Sequence, residues 1–404
     1  MNDYEKEVKK PLSLRLVMEE ASRCLLCKDA PCSSSCPAYT DPARFIRAIR
    51  FKNLCGAVEV VRENNALAAI CARVCPTEKY CQSGCSRCGI DKPIDIGAIQ
   101  RFICDFEVDT KMEVLEFPKY NGKKVAIIGS GPSGLTSALE LRKLGYEVTI
   151  FEKDEMPGGY LRYGIPSYRL PKEVLESEIK RILKSGVVIK TKELINDERL
   201  EELKKDYDAI ILALGYSKGK MLPLFEESNK TILAVDFLHQ VKEEPFKLPD
   251  NVLVIGGGDV AMDTCVTLKK LGVKNVTDIV YESFAEFKAS NEELSLARLE
   301  NVSIIDGYIP TYVDDEVVKF KSRFIDSEIS IKTDLIILAT GQTIDDTINL
   351  EFNGNFVENT NYRIGKTNMF ITGDIQKGDK TVVYSVRKGK EVAAYVDNFL
   401  GGNK

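Results

Sequence analysis

The chain of 404 residues has one histidine, no apolar run of membrane-spanning length and no stripe of basic residues. Each shortage closes off a class of function. A membrane-spanning helix needs about 20 consecutive apolar residues, and the longest runs here, such as Ala209–Leu214, are strand-length pieces. Nucleic-acid binders concentrate Lys and Arg on one face. Here charges of both signs are mixed throughout, to a net −5. His239 stands beside Phe237 and Leu238 and reads as a packed helix residue, not as an acid–base group. The charged start, Met1–Lys10, has no apolar h-region. The expectation is a cytoplasmic protein with neither membrane nor nucleic acid as partner. Hydrophobic residues at 44% are enough for a sizeable core.

Cysteine is what the chain has in excess. Of twelve, eleven lie between Cys24 and Cys104, and Cys265 stands alone. In a chain without an export signal, such clustering points to metal or cluster ligands, not disulfides. The first group is Cys24-x2-Cys27-x4-Cys32-x3-Cys36-Pro37. The second is Cys71-x3-Cys75-Pro76, Cys81-x3-Cys85 and Cys88. Two groups, each with a Cys-Pro, suit two iron–sulfur clusters better than the paired knuckles of structural zinc. In two-cluster ferredoxins the cysteine before proline ligates the other cluster, so Cys36 would join the later group. Two four-iron clusters need eight ligands. Cys24, Cys27, Cys32, Cys36, Cys75, Cys81 and Cys85 make seven, and Cys71, Cys88 or a non-cysteine side chain must supply the eighth. Cys55, Cys104 and Cys265 read as buried small hydrophobes.

From Lys123 the texture changes to short Val/Ile runs alternating with helices, the pattern of a parallel α/β sheet. It appears twice, at Lys123–Glu152 and Asn251–Glu282. In the first unit, strand Val125–Ile128 runs into Gly129-Ser130-Gly131-Pro132-Ser133-Gly134 and a helix, and a second strand ends in Glu152. Gly129 permits the turn, Gly131 lets the backbone approach a pyrophosphate, and Gly134 packs helix on strand. The helix N-terminus stabilises the phosphate charge, and Glu152 accepts from ribose hydroxyls. The second unit reads Gly256-Gly257-Gly258-Asp259-Val260-Ala261, with Glu282 in the place of Glu152. Two such units imply two dinucleotides, a permanently held FAD and an exchanging nicotinamide. A carboxylate at Glu282 accepts from a free 2′-hydroxyl and repels a 2′-phosphate, which predicts NADH over NADPH. Later segments complete the sites. Ala339-Thr340-Gly341 closes a buried strand whose small residues allow close backbone approach, and is counted with the nicotinamide. Gly373-Asp374 closes another strand with a carboxylate for the flavin's ribityl chain. Thr381 and Val382 open a last helix whose N-terminus faces a reduced flavin.

These residues resemble a known family. Arg23-Cys24-Leu25-Leu26-Cys27, Ala30-Pro31-Cys32, Cys71-Ala72-Arg73-Val74-Cys75-Pro76-Thr77 and Ile94–Phe102 are similar to the N-terminal module of dihydropyrimidine dehydrogenase. Gly158-Gly159, Gly164-Ile165-Pro166 and Tyr168-Arg169-Leu170-Pro171 continue the likeness, which covers essentially the whole chain and extends more distantly to the glutamate synthase small subunit. The resemblance implies one cluster on Cys24, Cys27, Cys32 and Cys85. It implies a second on Cys36, Cys75, Cys81 and Gln100, with Cys71 and Cys88 outside. It implies that Gly159 and Arg169 meet the flavin, and that Lys288 stands where NADPH-using relatives place a basic residue. Those relatives carry another basic residue in place of Glu282, a departure that agrees with NADH.

The implied fold is α/β. A helical domain with two [4Fe–4S] clusters (1–115) precedes two Rossmann-like domains of the pyridine-nucleotide oxidoreductase type. These are an FAD domain in two parts (116–245 and 346–404) and an NAD(H) domain (246–345) between them. The family's FMN-binding, pyrimidine-reducing barrel has no counterpart here, so the resemblance implies an FMN-containing partner subunit in a hetero-oligomer. The alternatives are the small subunit of glutamate synthase or of a ferredoxin:NAD(P)H oxidoreductase, and a flavoprotein scaffold without clusters. A thioredoxin-reductase-like role is disfavoured, because the second unit has no CxxC and Cys265 has no partner.

Overall fold

The computed structural model describes residues 3–243, 247–344, 347–354 and 356–401. They divide into two compact units. The larger takes Glu7–Arg162, Arg169–Gly215 and Asp346–Lys404; the other takes Met1–Lys6, Tyr163–Tyr168 and Tyr216–Asp345.

The larger unit begins as helices alone: α1 (Leu14–Ser22), α2 (Pro42–Arg50), α3 (Leu54–Asn64), α4 (Ala68–Val74) and α5 (Ile96–Thr110). Four of them start at a polar cap. The side chains of Ser13, Asp41, Asn53 and Asp95 each accept from the backbone N–H three residues on, satisfying a donor the helix leaves free. Their apolar faces meet in one core around Val17, Phe45, Ile46, Ile49, Val61 and Ile103. With that core filled by the helices, most cysteines fall in the loops and turns between them.

The chain then builds a parallel sheet from β1 (Lys124–Ile128), β2 (Glu147–Phe151), β3 (Val188–Lys190) and β4 (Ala209–Leu212). Met369–Ile371 returns to pair with β4, giving the order Met369–Ile371, β4, β1, β2, β3. Helix α6 (Pro132–Lys143) joins β1 to β2, and α7 (Lys172–Lys184) leads to β3. A buried charge network ties α3 and α5 to α7. Arg62, 2% exposed, donates to Glu107 at 2.7 Å and to both oxygens of Glu178 at 2.9 and 3.0 Å. Glu178 also accepts from Ala69 N–H at 2.8 Å and from Arg181. Burial opposes the charge on Glu178, but Arg62 and Arg181 overcome it and pull the carboxyl down to about 2.

The other unit repeats that sheet strand for strand. β5 (Thr231–Leu233), β6 (Asn251–Ile255), β7 (Asn275–Val280), β8 (Ser303–Asp306) and β9 (Leu335–Leu338) are all parallel, in the order β5, β9, β6, β7, β8. Helix α8 (Asp259–Lys270) follows β6 as α6 follows β1. An antiparallel sheet of Tyr308–Val313, Val317–Ser322 and Glu328–Lys332 precedes β9. The last helix, α9 (Val382–Phe399), belongs to the larger unit.

Several details depart from the sequence reading. The boundaries at 245 and 345 lie outside the described residues, but β5, placed by sequence in the flavin part, pairs with β9 in the second sheet. The first residues also leave the helical region: Tyr4 is buried in the core of the smaller unit, edge-on to Tyr168 at 6.0 Å. Both are long-range choices that local pattern does not carry. Met369–Ile371 ends before Gly373-Asp374, which lie in a single helical turn, while α9 starts at Val382, as expected.

Candidate functional site

At the first glycine turn, Gly129 has φ +105°, and a Cβ there would meet Ala213 O at 2.4 Å. A Cβ on Gly134 would lie 2.1 Å from Gly129 O, so α6 packs on the turn only without a side chain. At Gly131 nothing stands within 4 Å of the Cβ position. That space opens before the N-terminus of α6, with Pro132 as its first residue and Ser133 next, where a phosphate is stabilised. Glu152, 4% exposed, accepts from Ser130 N–H at 2.9 Å, from Ser130 Oγ and from Asp154 N–H at 3.0 Å. Ser130 Oγ in turn accepts from Gly158 N–H at 2.9 Å. The Gly158-Gly159 loop is thereby held against the turn; a Cβ on Gly159 would lie 3.1 Å from Gly131 Cα.

Gly373 abuts the same place, since a Cβ there would meet Ser133 Oγ at 2.6 Å. Beside it, Asp374 accepts from Ser385 Oγ at 3.4 Å, and burial pushes its carboxyl up against the charges of Lys388 and Lys380. Lys388 donates to Gly373 O at 3.0 Å and Gln376 O at 3.1 Å. Thr372 Oγ1 and Gln376 Oε1 are buried with no hydrogen-bond partner among the described residues. Thr381 precedes α9 without a side-chain cap bond, and Val382 is its first residue. Arg169 is half-buried in the loop before α7. Open space at Gly131, a phosphate-ready helix N-terminus and orphaned buried polar atoms together fit a bound flavin dinucleotide.

The second turn repeats the geometry with different chemistry. A Cβ on Gly256 would meet Ala339 O at 2.5 Å, the relation Gly129 has to Ala213. The sequence reading singled out Ala339 but missed Ala213; the matching Ala-x-Gly of Ala213-Leu214-Gly215 and Ala339-Thr340-Gly341 was the available signal. Thr340 Oγ1 donates to Lys220 O at 2.9 Å, and Gly341 O accepts from Lys220 N–H at 3.0 Å. A Cβ on Gly257 would meet Glu282 Oε2 at 2.9 Å, so Glu282 lies over the turn. Gly258 faces open space ahead of α8. Asp259 accepts from Ser290 N–H at 2.7 Å, and Val260 follows it, half-buried. Lys288 pairs with Glu282 at 2.5 Å. Burial opposes the charge on Glu282, yet Lys288 holds its carboxyl below the usual range.

The cysteines fall into two groups. Cys24, Cys27, Cys32 and Cys85 line one pocket with Pro31, Ile46 and Ile94. Burial, with Cys85 and Cys24 close by, pushes the Cys32 thiol up to about 11. Cys36, Cys75 and Cys81 form the other group. Burial raises the thiols of Cys75 and Cys81, each with Cys36 among its electrostatic neighbours. Cys71 belongs spatially to this second group, beside Cys75 and Cys36, but its Sγ is turned to Asn65 Oδ1 at 4.0 Å. Gln100 Nε2 donates to Ala68 O at 2.8 Å, which fixes the amide and leaves Oε1 with no bond among the described residues. Burial keeps the protons on the thiols of Cys75 and Cys81 until a cation displaces them. Cys85-x2-Cys88 makes a second CxxC, but Cys88 is exposed and donates to Gln82 O at 3.3 Å. Cys55, read as buried, is exposed because it lies on the outer side of α3; Cys104 and Cys265 are buried. His239 is half-buried, packed on Tyr163 at 4.1 Å and bonded to Glu243 at 3.0 Å. Among the described residues, no helix is long and apolar enough to cross a membrane.

Two known families match. Residues 1–112 match one described as dihydropyrimidine dehydrogenase domain II, 4Fe-4S cluster, and residues 123–389 one described as pyridine nucleotide-disulphide oxidoreductase. The NAD-dependent dihydropyrimidine dehydrogenase subunit PreT of Escherichia coli K12 is 49% identical, over 99% of this chain and 98% of its own. The NADP(+)-dependent formate dehydrogenase subunit beta of Moorella thermoacetica is 31% identical over 92% of this chain and 60% of its own. Among solved structures, Mycobacterium tuberculosis FprA in complex with NADPH superposes with a TM-score of 0.59 at 17% identity, covering 70% of this chain and 85% of FprA. The thioredoxin reductase of T. acidophilum gives 0.54 at 18%, covering 69% and 99%. At such identities the two structures speak to the fold alone.

Proposed function

We propose, for a chain that belongs to the family of flavin and iron–sulfur subunits of NAD-dependent dihydropyrimidine dehydrogenase, that it is the electron-input half of such an enzyme. It oxidises NADH and delivers the electrons, by way of FAD and two [4Fe–4S] clusters, to a partner subunit with FMN that reduces uracil and thymine. The observation that carries this reading is the convergence of Cys24, Cys27, Cys32 and Cys85 on one pocket within the unit that also holds the Gly129–Gly134 turn.

When bound, the flavin accepts a hydride and the clusters store single electrons, so the protein's task is placement. The turn at Gly129–Gly134 and the N-terminus of α6 hold the flavin pyrophosphate. Glu152, already clamped by Ser130, presents a carboxylate edge to the adenosine ribose, and Asp374 serves the ribityl chain. Arg169 and the α9 N-terminus at Thr381-Val382 favour negative charge on the isoalloxazine. Gly256–Gly258 with Asp259, Val260 and the Ala339–Gly341 strand end hold the NADH pyrophosphate, and Glu282 reads its 2′-hydroxyl. Cys24, Cys27, Cys32 and Cys85 hold one cluster; Cys36, Cys75, Cys81 and Gln100 hold the other.

The test is anaerobic purification with assay of flavin, iron and acid-labile sulfide, then NADH-driven reduction of uracil with and without the chain encoded beside this one. Bound FAD, about eight irons by the ligand arithmetic of two four-iron clusters, and uracil reduction only with the partner are expected. Absence of iron, or uracil reduction by this chain alone, sinks the reading.

A further inference from the structure

Tyr80 stands between two cysteines of the second group, Cys75 and Cys81, and its side chain leaves that loop for the other end of the chain. Its phenol donates to Asp379 Oδ2 at 2.7 Å and lies 3.4 Å from Thr381 Oγ1, and its ring packs on Tyr384 at 5.9 Å. Lys79, the residue before it, forms an ion pair with the same Asp379 oxygen at 2.5 Å. Asp379 Oδ1 accepts from Lys380 N–H at 3.0 Å, which fixes the carboxylate. Two neighbouring side chains of the cysteine loop thus converge on one carboxylate immediately before α9, 299 residues from Tyr80 along the chain. Tyr80 is 8% exposed, so the phenol–carboxylate bond is shielded from water on the phenol side.

We infer that Tyr80 is a positioning residue that clamps the Cys75–Cys81 loop to the N-terminal end of α9 and sets the spacing between the second cluster and the flavin. The inference rests on the reading above, which puts a cluster on Cys75 and Cys81 and a flavin edge at Thr381-Val382. Electron transfer between two groups depends on the gap between them. A loop free to lean away from α9 widens that gap without touching the NADH site. The Tyr80–Asp379 bond is a hydrogen bond to a charged acceptor, the strong kind, and so holds the loop where an ordinary surface contact would not.

The experiment uses the full chain, loaded and anaerobic, mixed rapidly with NADH while flavin and cluster absorbance are followed separately. Tyr80→Phe keeps the ring and removes the hydroxyl. Flavin reduction by NADH is expected to stay at the wild-type rate, while cluster reduction slows, because losing one charge-assisted hydrogen bond shifts the balance between docked and undocked loop about tenfold or more. Backbone amides of 379–384 are expected to exchange hydrogen faster in the variant, a readout independent of activity. Asp379→Asn, which keeps an acceptor for Tyr80 but loses the ion pair with Lys79, should show a smaller effect of the same kind. It also carries the test should Tyr80→Phe fail to fold. A loaded protein in which both variants reduce the clusters at the wild-type rate overturns the inference alone. A wild-type protein without iron overturns the proposed function and this inference with it.

Discussion

The two glycine turns differ most at one position. Where the first has Ser130, fully buried, the second has Gly257. Ser130 uses its backbone N–H and hydroxyl to lock Glu152 and to tether Gly158, so the first carboxylate is held by three bonds before any ligand arrives. Gly257 offers no side chain, and Glu282 lies over it, held by an ion pair with a lysine that is 74% exposed. Under the proposed function, one turn is a permanent seat and the other a reading head for a ligand that comes and goes. Pre-organisation of the first lowers the cost of holding its ligand; the looser second leaves selection to one carboxylate.

The units also contrast in their buried charge. The larger unit balances Arg62 and Arg181 against Glu107 and Glu178. The smaller buries Asp278 in β7 with neither oxygen bonded to any of the described residues, and burial pushes that carboxyl well above its ordinary value. The sharpest way to break the comparison is Arg62→Ala. It takes the cation from Glu107, leaves Glu178 with Arg181 alone, and should cost about 3–5 kcal/mol. Flavin should be lost while ADP-ribose binding, measured by calorimetry, survives at the smaller unit. Loss of both together would mean that the two units do not lose stability independently.

Gly134→Ala comes next. A methyl 2.1 Å from Gly129 O cannot be absorbed by a side-chain shift, so destabilisation of about 3 kcal/mol and loss of FAD are expected. Gly258→Ala meets nothing within 4 Å and should leave the unfolding temperature alone while raising KM for NADH. Equal loss of stability in both would contradict the packing account.

Acid separates the units in opposite directions. Glu178 has a lowered folded-state pKa, so its contribution is complete above the ordinary 4.5 and is lost as pH falls towards about 2. Asp278 has a raised one. The unfolded chain releases that proton first, so its burial weighs against folding increasingly as pH climbs above 3.8. Asp278→Asn should therefore raise the neutral-pH stability of the smaller unit and flatten its pH dependence, as followed by denaturant unfolding across pH. A variant with unchanged slope would mean that Asp278 titrates normally.

The smallest expected effect is on Glu282. Glu282→Gln should leave the fold intact, because an exposed pair with Lys288 contributes at most about 1 kcal/mol. The ratio of kcat/KM for NADH over NADPH should fall about tenfold, as repulsion of the 2′-phosphate disappears. A wild-type enzyme that prefers NADPH tenfold would reverse the reading of this position.

Much of this was legible in the sequence where the cause is local. Gly129, with its positive φ, and Gly134, packed on Gly129 O, are required by the backbone of their own strand–turn–helix, and alternation of strand and helix sets the parallel sheets. Glu152 and Glu282 stand at fixed offsets along their second strands for the same reason. The cysteine spacing announced clusters, but the placing of Cys85 with Cys24, Cys27 and Cys32 came from resemblance, because spacing ranks neighbours along the chain only. Cys55 was misread for want of knowing which side of α3 faces the core.

What tertiary structure alone decided are the contacts with long sequence separation. Arg62 meets Glu178, Ala213 lies under Gly129, β5 joins the second sheet, Tyr4 enters the smaller unit's core, and Tyr80 reaches Asp379. No local preference encodes these. Each partner satisfies a buried charge, donor or apolar face that the rest of the fold has already removed from water, and that need exists only once the fold has formed.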